Sequence, residues 1–510
     1  MIVGPPKRTM DRPFALVVPG HRRIDIITEA GEYSAQGPGR VRDLLERFAG
    51  YVLYCDTGIS DLRRTTGALA WKAETWRSRA VRMVLIGTEV SVISLRGTLA
   101  GSRDPFGDLY RAIHWLRGRG VSPAGISQMG WNLWRSTLPG PLSIDFDPGV
   151  GHEAVFGGRQ ECREPADATG RRTRTYSNMV AVDLPAAYPT AMASRPYALA
   201  LRPVDASTVL DPSTSGLARA RVLVPPDLPH PPLPVRIDPE IIQWQWGHIE
   251  GVWPWCELRA ARDVGAEVRV VQSWAPSRSA DLFGGWLAVV AEGRNLEGNA
   301  KRVVKAVANA TWGVFGMRGD DTAEVRWTDD TGDRSYTVAK TTRMLPHRRC
   351  AHIAAETAAR VRTRLLTEAL YGFALHAVHT DTDGVIVRAS AVTKGHETSP
   401  SDINGVPLND WIIKQRMAKV EVRAPQVYRY TCGRGCGVGH AKWHYVASGV
   451  PPEHAPAVFE KIGKSGARFG VRAGDIVLPP GHAQETAQAQ TLADGARALA
   501  GAIYGPGLGD

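Results

Sequence analysis

HAVHTDTDGVIV, residues 376–387, carries two aspartates, Asp381 and Asp383, on which the reading of the whole chain turns. Apolar residues on both sides make this stretch a strand, a turn and a second strand. In that arrangement two carboxylates one residue apart project from the same side of the chain. Held so close, they repel unless a cation lies between them. Like charges a few ångströms apart would otherwise lift one pKa sharply, and a hard divalent ion with oxygen ligands removes that penalty while also gripping phosphate oxygens. Magnesium suits this chemistry better than zinc. Short Asp-x-Asp turns are also common as plain loop caps, so the stretch does not establish a metal site alone.

Two more stretches shift the balance. In VAVDLPAAYPTAM, residues 180–192, Asp183 follows an apolar run and would supply a third carboxylate from a neighbouring strand. Two ions roughly 3.5–4 Å apart on such a set bind both the attacking and the leaving oxygen of an in-line displacement. In AKRVVKAVANATWG, residues 300–313, the pattern is helical, and Lys305, Asn309 and Gly313 fall at i, i+4 and i+8 on one face. Lys301, Arg302 and Arg294 add positive charge, which a triphosphate and its leaving pyrophosphate require. A solvated basic helix is the plain alternative. Glycine inside a helix costs about 1 kcal/mol, so Gly313 points either to helix packing or to close approach by a ligand.

These stretches, in this order, resemble the three motifs of the family B DNA polymerases, most closely the compact phage branch that includes the protein-primed enzymes. Asp183 with Tyr188 and Pro189 keeps the first motif's spacing. The second, Lys, three residues, Asn-Ser, one residue, Tyr-Gly, is present as Lys305, Asn309, Ala310, Trp312 and Gly313. The third, Tyr-x-Asp-Thr-Asp-Ser, is present as His379, Thr380, Asp381, Thr382, Asp383 and Gly384. Ala310, Trp312, His379 and Gly384 depart from the pattern, which bears on efficiency or substrate choice more than on chemistry. FGGRQE, with Gly157, Gly158 and Arg159, resembles the family's Tyr-x-Gly-Gly stretch that helps hold template DNA. APQVYRY around Tyr428, followed by Lys442, resembles its Lys-x-Tyr element at the primer end, with Gln426 in place of the usual lysine or threonine.

The resemblance implies an α/β (α+β) right-hand polymerase. It implies two Mg²⁺ ions, with Mn²⁺ as the alternative, held by Asp183, Asp381, Asp383 and the backbone carbonyl of Leu184. Lys305 would neutralise the triphosphate, Tyr188 would lie under the sugar, and Arg294, Lys301, Asn309 and Gly313 would complete the nucleotide site. Primer-template DNA and deoxynucleotides are the implied partners, with a terminal protein as an alternative primer. The implied division is 1–120 as a degenerate RNase H-like exonuclease domain, 121–281 as the first part of the palm, 282–316 as small fingers, 317–420 as the second part of the palm, and 421–510 as thumb and tail. The first strand carries Val17, Val18 and Pro19 where the family has an Asp-x-Glu. Asp56 and Asp108 alone cannot build a two-metal hydrolytic site.

Finer features complete the reading. A hairpin is expected over 13–18 and 23–28, a helix over 39–50 and a strand over 51–55. The Pro-rich segment 224–239 reads as a rigid surface connection inside the palm, and 241–274 as strand, helix, strand rejoining the palm sheet. Residues 319–338 read as a hairpin, either the protein-priming insertion or an ordinary palm hairpin. The helix 350–370 would turn Arg360, Arg362 and Arg364 to solvent or DNA. Cys432, Cys436, His440 and His444 fall four apart, yet four glycines among them favour a hairpin tip over zinc.

Composition agrees with a nucleic-acid partner: 62 Lys and Arg against 51 Asp and Glu leave a net charge of +11. Some of the 15 tryptophans would stack on bases and most would pack the core. Six scattered cysteines point to a reducing cytoplasm, that of a bacterial host for a phage protein. No apolar stretch approaches the roughly 20 residues of a membrane span. A monomer is expected. Two other classes fit fewer of the residues: a silent, polymerase-shaped DNA-binding protein, against which all three aspartates count, and a metal-dependent nuclease, against which Lys305 counts.

Overall fold

Apolar runs without alternation, FALVVP and VLYC, belong to strands covered on both faces, and both lie at the centre of a sheet in the computed structural model. It describes residues 2–3, 13–19, 23–56, 73–75, 80–85, 88–95, 98–145, 150–162, 175–211, 214–236, 242–316, 320–328, 335–343, 350–392, 411–424, 426–432, 443–447, 455–457 and 459–460. The chain divides into two compact units, one formed by Met1–Phe146 and Asp281–Cys350, the other mainly by Asp147–Ala280 and Ala351–Gln484.

In the first unit, Phe14–Pro19 runs parallel to Val52–Cys55, which runs parallel to Thr88–Ser94. Arg23–Thr28 and Gly31–Gln36 extend one side as antiparallel strands, as the expected hairpin requires. The helix Pro38–Arg47 buries Val41, Leu44 and Leu45 against this sheet. Strands Asp320–Thr328 and Ser335–Arg343 pair with each other and add to the far edge through Ala323 and Glu324 opposite Glu74 and Ala73. This overturns the palm-hairpin reading of 319–338: the hairpin extends the N-terminal sheet.

Helices Gly284–Gly293 and Ala300–Phe315 occupy the span 282–316 and pack with Ile126–Ser136 in the same unit. Trp134 is fully buried among Trp131, Phe283 and Phe315, and its indole N–H donates to the Leu282 carbonyl at 2.8 Å. Paired in this way, a tryptophan can be buried without an unmet donor.

The second unit holds a seven-stranded antiparallel sheet in the order Arg159–Cys162, His379–Thr382, Gly384–Arg388, Thr175–Asp183, Ile412–Ala424, Val427–Cys432, His444–Ala447. The described strands beyond residue 420 therefore continue the sheet that carries the aspartates, and the Gly/Ala-rich tail lies outside the described residues. Residues 241–274 do give a strand (Gly247–Pro254), a helix (Trp255–Asp263) and a strand (Glu267–Ala280). They build a separate four-stranded sheet with Tyr197–Val204 and Leu217–Val224 instead of rejoining the larger one. The Pro-rich segment is likewise not a surface connection throughout. Residues 230–234 are buried, because the carbonyls of Pro231, Pro234 and His230 accept from Arg159, Trp253 and Tyr371.

The helix Ala351–Arg364 is buried along most of its length, Arg360 and Arg362 included. Arg362 forms a two-pronged pair with Glu257 at 2.7 and 2.9 Å and donates to the carbonyls of Phe156 and Gly157. Arg360 donates to Ala191, Arg195 and Pro196 carbonyls at the end of helix Ala187–Ala193 and lies over the Tyr197 ring. The expectation that these arginines face solvent or DNA is thus corrected. Met by a carboxylate and by helix-end carbonyls, their charges are compensated inside the protein. Arg364, paired with Glu368, stays partly exposed.

Candidate active site

Register in the seven-stranded sheet brings the aspartates together. Asp183 closes its strand opposite Gly384, and the Leu184 N–H donates to the Asp383 carbonyl at 2.8 Å. Asp381 pairs with Gly384 across a tight turn in which the Asp383 N–H reaches back to the Asp381 carbonyl at 2.6 Å. Thr382, between the two acids, takes φ +60°. A β-branched residue there is an outlier costing about 1–3 kcal/mol, a strain of the kind that clusters at functional sites.

Neighbours crowd this turn. A side chain at Gly384 would put its Cβ 2.9 Å from Asp183 Oδ1, so the glycine found where the resembling motif has serine gives the first aspartate room. A Cβ on Gly158 would lie 2.4 Å from Thr382 Cγ2. The FGGRQE stretch is therefore the edge strand beside the turn, with Arg159 opposite Thr382 and Gln160 donating to Thr382 Oγ1 at 3.3 Å.

Asp183 and Asp381 both bear electrostatically on Asp383. Burial first, then the charges of Asp183 and Asp381, push the Asp383 carboxyl up to about 7, while Lys414 pulls it down. Lys414 Nζ is 3.2 Å from Asp183 Oδ2. Asp381 Oδ1 accepts from the Gln426 side-chain amide at 2.8 Å, and the Gln426 backbone N–H donates to His379 Nε2 at 2.9 Å. His379 is buried, which lowers its pKa to about 4, against the pull of Asp381. Among the described residues no three His, Cys, Asp or Glu side chains are grouped so as to hold a metal ion as they stand. The chemistry of the donor set nonetheless fits a hard divalent cation, since Asp183, Asp381 and Asp383 offer carboxylate oxygens from one strand end and one tight turn.

The remaining expected residues divide. Tyr188, in helix Ala187–Ala193, is half-buried against the core beneath the aspartate strands, and burial raises its hydroxyl pKa. Tyr428 is half-buried with its ring 5.2 Å from His379. Arg159, expected at DNA, is 1% exposed: Glu161 and the Pro231 carbonyl take its guanidinium, with Trp244 alongside. Gly157 is open on its Cβ side. Lys442, Cys436 and His440 lie outside the described residues, while Cys432 Sγ is 3.2 Å from His444 Nε2.

Lys301, Lys305 and Asn309 form an exposed stripe on the helix Ala300–Phe315, with Gly313 open beneath it and Val303, Val304, Val307 and Val314 buried opposite. Arg294 is half-buried just after the end of helix Gly284–Gly293. This basic stripe belongs to the first unit and the aspartates to the second.

Asp56 and Asp108 have structural partners in the first unit. Asp56 accepts the Leu99 N–H at 3.0 Å. Asp108 is buried beneath Ser102 and Arg111; burial pushes its carboxyl up, and hydrogen bonds from those two residues outweigh this, leaving it below the ordinary range.

Lys414 escaped the sequence reading because nothing in the alternation of strand Ile412–Ala424 marks it. Gln426 was visible only as a departure from a pattern, not as a partner of Asp381.

Solved structures of phi29 DNA polymerase align with this chain over most of both lengths. The ternary complex with primer-template DNA and incoming nucleotides gives a TM-score of 0.63 at 10% identity, covering 89% of this chain and 94% of that one. The binary complex with primer-template DNA gives 0.61 at 10% identity, with 87% and 94% covered. A complex with single-stranded DNA gives 0.62 at 10% identity, with 88% and 94% covered. The chain is similar in fold to phi29 DNA polymerase. At this identity the likeness to phi29 DNA polymerase is one of fold. No protein-family model and no curated protein matches the sequence. No helix among the described residues is long and apolar enough to cross a membrane.

Proposed function

We propose that this protein is a DNA-directed DNA polymerase of the family B type that extends a 3′-hydroxyl with deoxynucleotides. One observation carries the reading. Asp183, at a strand end, and Asp381 and Asp383, on a tight turn, are gathered at one corner by sheet register, where burial and then the like charges lift Asp383 to about 7. The fold around them is similar to that of phi29 DNA polymerase.

Asp183, Asp381, Asp383 and the Leu184 carbonyl would hold two Mg²⁺ ions. When bound, they lower the pKa of the attacking hydroxyl and neutralise charge at the phosphate. Thr382 holds the two motif acids at a fixed angle through its tight turn, and Gly384 keeps space beside Asp183. Lys305 and Lys301 supply positive charge for the triphosphate, with Asn309 on the same stripe. The open face at Gly313 suits a flat nascent base pair. Tyr188, fixed on its helix, lies under the sugar and disfavours a 2′-hydroxyl.

Proofreading is absent in this reading. The first strand lacks acids, and Asp56 and Asp108 are engaged in backbone and arginine contacts. Primer extension on a 5′-labelled primer-template tests the proposal, comparing wild type with Asp383→Asn, with and without nucleotides. Extension by wild type alone, with an intact primer in the nucleotide-free lane, is expected. DNA binding without extension in Mg²⁺ or Mn²⁺ would leave a silent binding protein, and a shortened primer would restore an exonuclease or nuclease.

A further inference from the structure

The residue just before strand Val427–Cys432, in the short connection from Ile412–Ala424, has an unusual backbone. Gln426 takes φ +62°, a left-handed conformation that a residue other than glycine adopts at a cost. Both of its donors reach one strand, His379–Thr382. The side-chain amide meets Asp381 Oδ1 at 2.8 Å, and the backbone N–H meets His379 Nε2 at 2.9 Å. Because a backbone N–H can only donate, His379 Nε2 must accept, which fixes the tautomer with its proton on Nδ1. His379 is 2% exposed and its ring lies 5.2 Å from that of Tyr428, so it is a firm anchor for the loop.

Resting on the polymerase reading of the site, we propose that Gln426 is a positioning residue for the cation site: its amide fixes the orientation of the Asp381 carboxylate while leaving its charge intact. An ammonium at the same position would hold the carboxylate and also compete with the cation. A neutral amide holds it and leaves the full negative charge for the ion. The backbone strain persists because the His379 bond locks the loop and aims the side chain. Partners that orient metal ligands in this way typically contribute about 10–100-fold to metal affinity or activity.

Gln426→Gly isolates the side chain, since glycine keeps the left-handed backbone and the N–H to His379 while removing only the amide. Gln426→Lys is the companion variant, retaining a donor but adding charge. The readout is Mn²⁺ binding to the DNA-free protein, by electron paramagnetic resonance, beside Asp383→Asn as the site control and a thermal melt for folding. Both Gln426 variants should melt cooperatively and bind Mn²⁺ about 10-fold or more weakly, with the Mg²⁺ concentration for half-maximal extension raised in parallel. Wild-type affinity in Gln426→Gly, where Asp383→Asn has lost the ion, overturns this inference and leaves the polymerase reading standing. Should Gln426→Gly fail to fold, wild-type affinity in Gln426→Lys overturns it equally. Failure of the wild type itself to bind Mn²⁺ removes the cation site and, with it, both readings.

Discussion

Replacing Gly158 by alanine tests whether the FGGRQE stretch holds DNA, as its resemblance implies, or holds the turn that carries the aspartates. The new Cβ would lie 2.4 Å from Thr382 Cγ2 and 2.8 Å from its Cβ and Oγ1. Carbon atoms prefer about 3.5–4.0 Å, so Thr382 must retreat by roughly 1 Å. A β-branched side chain has little rotameric escape, and its own Cβ is among the atoms met, so the backbone must move too. Overpacking of this kind costs about 1–3 kcal/mol. The catalytic consequence is larger, because Thr382 separates Asp381 from Asp383 and a misplacement near 1 Å can cost about 10²-fold in rate. Gly157→Ala is the internal control, since nothing lies within 4 Å of its Cβ position. Single-nucleotide extension under saturating DNA gives kcat, and fluorescence anisotropy gives the DNA dissociation constant. Gly158→Ala should lose about 10²-fold in kcat with DNA affinity unchanged, and Gly157→Ala should keep kcat. Unchanged kcat in Gly158→Ala together with weakened DNA binding would refute the packing argument.

Other perturbations have equally definite outcomes. Arg362→Met leaves Glu257 charged and 3% exposed without its partner, and should cost about 3–5 kcal/mol in urea unfolding, part of which the double replacement with Glu257→Gln recovers. Gly313→Ala should stabilise the helix by about 1 kcal/mol, because its Cβ meets nothing; a simultaneous rise in the KM for nucleotide would show that a substrate approaches there, and an unchanged KM would show that none does. Lys305→Ala, on an exposed stripe, should leave the melting temperature unchanged and impair use of the triphosphate. Asp108 has a depressed folded-state pKa, so its contribution to stability is present above the ordinary carboxylate pKa of about 3.9 and is lost as pH falls through the folded value. Asp108→Asn should accordingly be less stable than wild type at pH 7, and the gap should close in acid; a gap independent of pH would mean that the charge of Asp108 does not matter.

The aspartates were legible because one-residue spacing in a strand-turn-strand forces proximity whatever the tertiary fold. The helical stripe of Lys305, Asn309 and Gly313 was legible because 3.6-residue periodicity is local. What sequence could not give was the partner of each charge. Arg360 and Arg362 look like solvent-facing residues on an amphipathic helix, and only the fold brings Glu257 and the carbonyls of Ala191 and Phe156 to them. Arg159 differs in part: its carboxylate partner Glu161 lies two residues away, but its burial depends on the Pro231 carbonyl, in a segment whose prolines suggest a surface. The hairpin strands Asp320–Thr328 and Ser335–Arg343 are evident locally, but which sheet they join depends on a long-range pairing with Ala73–Thr75 that no spacing rule encodes.

The acidic turn combines several costs in one place, and their removal separates stability from function. Thr382 and Gln426 hold left-handed backbones on two loops that meet at Asp381, each costing about 1–3 kcal/mol, and the three carboxylates add mutual repulsion. Surrounding sheet register maintains this arrangement, and a bound cation would relieve the repulsion. Divalent ion should therefore raise the melting temperature of the wild type, by an amount equivalent to about 2.7 kcal/mol at a hundred times its dissociation constant. Asp383→Asn should melt higher than wild type in EDTA, because one of the repelling charges has gone, and should gain little from Mg²⁺ or Mn²⁺ while extending no primer. Opposite changes in stability and activity are the signature of acids gathered against their own repulsion for catalysis. If Asp383→Asn melts lower than wild type without metal, the carboxylate is serving the fold, and the case for a strained cation site fails at its centre.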